Sequence, residues 1–151
     1  MSVEERLQEL GITVPEPAAP AAGGLYAPCV QTGSLLFVSG QIPRGADARG
    51  KLGAAVSIEQ GQALARECAL NALGIVQAHL GSLERVSQVV RVAGYVASAD
   101  GFTDHPRVIN GASQLLIDVL GEKGRSARIA IGVSELPLGV PVEVEFLFEV
   151  S

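Results

Sequence analysis

A chain of 151 residues and 15.6 kDa is long enough to bury one core without disulfide or metal staples, and it reads most simply as one domain, residues 1–151. Hydrophobic residues make up 48% and charged residues 18%, with a formal net charge of −5 and no Lys/Arg cluster, which argues against nucleic acid as the partner. So few charges cover a surface poorly, and the balance predicts further burial in a subunit interface.

Cys29 and Cys68 lie far apart, and with only His79 and His105 beside them they form neither a disulfide framework nor a zinc spacing. The N-terminal segment is acidic and polar, and no apolar run reaches the roughly 18 residues of a membrane span. The expectation is a cytoplasmic protein with no membrane partner. Neither G-x-G-x-x-G nor G-x-x-x-x-G-K-[ST] occurs, so nucleotide binding by those routes is not expected.

In chain order, Ser2-Val-Glu-Glu5 is a capping box that opens a short helix to about Leu10, with Gly11 as its C-cap. Residues 15–24 are too rich in Pro, Ala and Gly for a regular element and form an extended arm before the core, which begins at residue 25. Cys29 to Gln31, a turn at Thr32-Gly33-Ser34, and Leu35 to Ser39 read as a hairpin running into Gly40-Gln41-Ile42-Pro43. Residues 44–50 are a polar loop.

Ser57-Ile-Glu-Gln60 is a second capping box, and apolar residues then recur at steps of three and four, predicting a helix over Ile58 to Leu80. Cys68 falls on its apolar face with Leu64, Ala65, Ala72 and Leu73, the setting of a buried, inert thiol. Gln88 to Ser98 is the next strand, in which Gly94 marks a bulge or a close approach. Pro106 suits a first helical turn, and the spacing from Val108 to Leu120 predicts an amphipathic helix ending near Gly121 or Gly124. Ala127 to Val133 and Val142 to Val150 are the last strands. This order fits an α+β two-layer domain, one sheet covered on one face by two helices, with the other face solvated or used for assembly.

Arg128 is the residue most suggestive of function. It stands in an otherwise apolar strand, and a guanidinium is costly to desolvate, so in an interior strand it would await an anion. Ala127, Ile129, Ile131 and Val133 share one face of that strand, and Arg128 shares the other with only Ala130 and Gly132. The last strand alternates Val142, Val144, Phe146, Phe148 and Val150 against Glu143, Glu145 and Glu149. If the eight-residue connection returned it antiparallel beside the first, Glu143 would lie near Arg128, as a structural ion pair or as part of a ligand site. His79, late in its helix, suits a C-terminal dipole, and His105 precedes a helix, so neither is assigned a catalytic role. Taken singly, Tyr26 reads as a packing anchor in its loop and Asn110 as a solvent-facing residue.

Leu35-Leu-Phe-Val-Ser-Gly-Gln-Ile-Pro43, then Asn110, then Arg128 with Leu136-Pro137 and Val142-Glu-Val-Glu145 resemble the reactive-intermediate deaminase family, RidA or YjgF-like, also called L-PSP endoribonucleases. The resemblance runs from about Tyr26 to Val150. It implies a chorismate-mutase-like fold with a mixed sheet, and a homotrimer with ligand clefts between subunits. It also implies hydrolysis, without a cofactor or metal, of a 2-imino acid to a 2-oxo acid and ammonia. Carried over, Arg128 would clamp the substrate carboxylate, Glu143 would orient a water, and Tyr26, Gly40 and Asn110 would shape the cleft. Ala130, among the substrate-contacting positions, stands where the better-known deaminases have cysteine, and Gly132 where they have a carboxylate. Those departures leave room for a trimer that binds small carboxylates without turnover. The acidic charge and the lack of a histidine pair favour neither the ribonuclease label nor RNA as substrate.

Overall fold

The computed structural model describes residues 1–19, 24–45 and 48–151. Residues 20–23 of the arm and 46–47 of the polar loop lie outside the described residues. Eight elements follow one another: α1 (Val3–Leu10), β1 (Cys29–Thr32), β2 (Leu35–Gln41), α2 (Ile58–Leu80), β3 (Val86–Ala97), α3 (His105–Leu120), β4 (Ala127–Val133) and β5 (Val142–Val150). Both capping boxes form: Ser2 accepts from the Glu5 N–H and Ser57 from the Gln60 N–H, while Glu5 and Gln60 reach back to the cap backbones. Gly11 closes α1 in the left-handed conformation that a side chain would resist.

The strands form one five-stranded sheet in the order β1-β2-β5-β3-β4, with β3 and β4 parallel and the other neighbours antiparallel. Helices α2 and α3 cover one face and pack on each other. Their contact is backbone-close at Gly111, where a Cβ would run into the Gln62 carbonyl oxygen. Beneath them, Leu36, Val38, Val92, Val144, Phe146 and Phe148 are buried, and the Phe146 and Phe148 rings stack with centroids 6.2 Å apart. Gly94 is a close approach rather than a bulge, because the Ile109 side chain fills its Cβ position. Strand β3 begins two residues earlier than its sequence pattern suggests, at Val86, and the bulges fall elsewhere, in its pairing with β5 before Gln88 and before Arg91.

The placement of β4 corrects the sequence expectation. It is an exposed edge strand beside β3, not an interior strand beside β5. Its helix-facing side chains are only Arg128, Ala130 and Gly132, too little apolar surface to hold a central position. By contrast, β5 offers five buried residues on one face and takes the centre. Arg128 is therefore exposed, and the desolvation argument for its needing an anion does not apply within one chain.

The N-terminal segment docks onto this body. Val3 is buried and its N–H donates to Glu84 Oε1 at 2.6 Å, while Ile12 and Val14 pack against the core. At Gly74 of α2 the Pro15 carbonyl occupies the space a Cβ would need, so the arm crosses that helix in backbone contact.

Candidate functional site

Arg128 is held by α3. Its Nη1 donates to Asn110 Oδ1 at 2.8 Å and to Ser113 Oγ at 3.1 Å, and its Nη2 lies 3.5 Å from the Pro106 carbonyl oxygen. Three of the five guanidinium hydrogens are thereby directed, leaving Nε–H and one Nη2–H for another acceptor. Asn110 is exposed, as its position near a helix start suggests, yet its amide oxygen is what orients the arginine. Ser113 was not singled out by sequence, although it sits three residues after Asn110 and so on the same helical face.

Along β4 from Arg128, Ala130 is half-buried and Gly132 exposed. The space above Gly132 is taken: an added Cβ would collide with His105 Nε2 and lie 3.0 Å from Ser98 Oγ. Ser98 donates its own hydroxyl to the Val96 carbonyl at 2.8 Å, so toward His105 Nε2, 3.0 Å away, it acts as acceptor. The ring of Phe102 meets His105 edge-on at 5.4 Å. His79, the basic residue in the last turn of α2, meets Gln31 Oε1 at 2.8 Å through Nε2.

Glu143 does not meet Arg128. Arg128 pairs in register with Val92, on the face covered by the helices, whereas Glu143 pairs with Tyr95 on the opposite face. Strand β3 separates them, and two strand spacings are about 9.6 Å. Gly40, at an irregularity in the β2–β5 pairing between Val38 and Gln41, lies against the Glu143 carboxylate: a Cβ there would be 2.6 Å from Oε1. Burial, then the nearby charge of Glu145, pushes the Glu143 carboxyl above its ordinary value. Glu145 is itself engaged, accepting from the Tyr95 hydroxyl at 2.9 Å and facing Arg91 Nη1 at 3.6 Å.

Tyr26 is half-exposed and lines, with Gly40, a pocket of about 260 Å³. The six site residues thus divide into two groups within one chain, Arg128 with Asn110 and Ala130 on one side and Gly40 with Glu143 and the Tyr26 pocket on the other. Cys68 is fully buried in α2, and burial pushes its thiol well above the usual range, in keeping with an inert core residue. Among the described residues, no group of three or more His, Cys, Asp or Glu is placed to hold a metal ion, and no helix is long and apolar enough to cross a membrane.

The face of the sheet away from the helices carries apolar side chains in the open. Val30, Phe37, Ile129 and Ile131 are all exposed, and one cross-sheet row runs Val30, Phe37, Leu147, Arg91, Ala127.

The family model described as "YjgF/chorismate_mutase-like, putative endoribonuclease" matches residues 4–150. The chain belongs to that family. Protein TCP17 of Trypanosoma cruzi is 46% identical over 99% of this chain and 94% of its own length. A crystal structure of a protein of unknown function from Agrobacterium tumefaciens is 40% identical, with a TM-score of 0.89 over 99% of this chain and 92% of that one. RidA from an Antarctic Psychrobacter is 26% identical, with a TM-score of 0.58 over 87% of this chain and 94% of its own. The mixed α+β fold expected from the sequence is thus the family's fold. The family match begins at residue 4, so beyond the Tyr26–Val150 stretch that carries the motif resemblance it takes in the arm and all of α1 but Val3.

Proposed function

We propose that this protein is a cofactor-free hydrolase of 2-imino acids, working as a homotrimer in clefts completed across subunit boundaries. The observation that carries the reading is the state of Arg128. Asn110 and Ser113 hold its Nη1, and the remaining Nε–H and Nη2–H suit the two oxygens of a carboxylate. A small carboxylate bound at Arg128 cannot also touch Glu143 of the same chain, because the two lie on opposite faces of the sheet. A second copy that turned its own open face toward the exposed β4 edge of the first would bring its Glu143, Gly40 and Tyr26 to the first copy's Arg128, and the exposed apolar residues of that face favour such seating.

In that cleft Arg128 fixes the carboxylate and presents C2 of the protonated imine to a water held by Glu143. Glu143 takes a proton as the water oxygen bonds to C2, giving a carbinolamine, and returns it to the nitrogen. As the C–N bond then breaks, the carboxylate of Glu143 takes the hydroxyl proton and passes it to solvent, releasing ammonia and leaving the 2-oxo acid. A carboxylate whose affinity for protons is raised suits the removal of a proton from the attacking water. Tyr26 and Gly40 shape the neighbouring wall, and Ala130 lies beside the clamp without a heteroatom of its own.

The test is ammonia release from 2-iminobutanoate generated by a threonine dehydratase. The wild type is expected to accelerate it, with Arg128→Ala and Glu143→Gln each reducing the rate at least tenfold. No acceleration with any small imino acid would remove the catalytic reading. A second reading, a trimer that binds small carboxylates without turnover, draws on Ala130 and Gly132, where side-chain donors are missing. Equilibrium binding of 2-oxobutanoate without acceleration would favour it. The family's endoribonuclease label makes RNA cleavage a third outcome; an activity that persisted in pure Arg128→Ala would not belong to this site.

A further inference from the structure

We propose that the pocket beside Tyr26 and Gly40 is a second anion subsite, so that the preferred substrate carries another acidic group besides the carboxylate clamped by Arg128. This deepens the 2-imino acid reading and rests on it. The pocket has two cations in its lining, Arg44 and Arg49, and neither forms an ion pair among the described residues. In an acidic chain, with a net charge of −5, two arginines at one pocket, without carboxylate partners among the described residues, are a concentrated exception to the surrounding charge.

Their loops are anchored. The Gly50 N–H donates to the Gly139 carbonyl at 3.1 Å, and the stem of Arg49 lies against Gly139, where a Cβ would come within 3.3 Å of its Cδ. Arg49 Nη1 spends one donor on the Ala48 carbonyl at 2.7 Å, leaving four. The Arg44 N–H donates to Glu67 Oε1 at 2.9 Å, which fixes the backbone from which its side chain departs. Glu67 is thus engaged by backbone rather than by the guanidinium.

The remaining lining is apolar. Ile42, Ile75 and Val140 contribute, and Leu138 sits in the left-handed region at φ 60° with its side chain exposed over the pocket. A non-glycine residue in that conformation carries a local strain of the kind concentrated at binding sites. Ala18 and Ala19 of the arm close another side, delivered there by the crossing of Pro15 over Gly74. A volume of about 260 Å³ with an apolar wall and two guanidinium groups fits the short carbon chain and distal acid of a dicarboxylic substrate.

The experiment compares calorimetric binding of two stable product analogues, 2-oxobutanoate with one carboxylate and 2-oxoglutarate with two. The wild type is expected to bind 2-oxoglutarate at least tenfold tighter, and the double variant Arg44→Gln/Arg49→Gln to bring the dianion down to the level of the monoanion. Both side chains are exposed, and a thermal melt checks that the double variant is folded. Equal affinities in the wild type, or a preference that survives in the double variant, would overturn the second subsite. If 2-oxobutanoate binding also depends on Arg128, the imino acid reading stands without it. If neither ligand binds, both readings fall together.

Discussion

The carboxylate of Glu143 occupies the space beside Gly40 that any other residue would claim: Oε1 lies 2.6 Å from where a Cβ would stand. The atom displaced by Gly40→Ala is the far end of a flexible side chain, so Glu143 can swing aside at little energetic cost. The expected outcome is a selective defect, with ammonia release falling at least tenfold while the melting temperature moves by less than about 3 °C, the scale of roughly 1 kcal/mol for a chain this long. A variant that retains full activity would show that Glu143 need not sit where it does.

Glu143 also makes a pH prediction. Its carboxyl is raised above the ordinary 4.5, chiefly by burial, so the folded protein favours the protonated form. The ionised side chain therefore subtracts stability above the folded value, and the penalty disappears as pH falls through it. Glu143→Gln should raise the melting temperature at pH 7, with the gain shrinking toward pH 4. Melting curves across that range check it; a loss at pH 7 would contradict the assignment.

Gly132 and His105 form a coupled pair. Gly132→Ala places a methyl group into the imidazole and against Ser98 Oγ, which should destabilise the fold by about 1–3 kcal/mol. In the double variant with His105→Ala the collision is gone, so the two substitutions should be non-additive by at least about 1 kcal/mol in denaturant unfolding.

Gly111 offers no such relief, because its neighbour is the Gln62 backbone carbonyl. Gly111→Ala must push α2 and α3 apart, and a loss of about 2–4 kcal/mol is expected in the same measurement.

Assembly is tested on the open face. Phe37, exposed in the cross-sheet row between Val30 and Leu147, should lie in the subunit interface. Phe37→Asp is expected to shift sedimentation from a trimer to a monomer and to lower ammonia release with it, since Arg128 would lose the other chain's Glu143. A wild type that sediments as a monomer would overturn the shared cleft.

The caps, the helix faces and the alternation of β5 are local patterns, and the sequence reads them well: Ser57 and Gln60 close the same box that their spacing announces. Strand order is a different kind of information. The spacing between β4 and β5 allows them to be neighbours, and only the competition for central positions sends β3 between them. The poverty of Arg128, Ala130 and Gly132 as a packing surface is the clue that β4 belongs at the edge. Family likeness named Arg128, Glu143, Gly40, Tyr26 and Asn110, but not how they divide within one chain. Ser113 and the His105–Gly132 contact depend on how α3 lies across β4, which no periodicity encodes.

Because β5 is the last strand in the sequence and the middle strand in space, β2 and β3 have no common neighbour until the final nine residues of the fold are available. During synthesis on the ribosome the apolar sides of α2 and α3 must wait beside a sheet with a gap at its centre. Until Val142–Val150 has emerged, the strand edges of β2 and β3 are exposed together, an interval of growth open to edge-to-edge association with other chains.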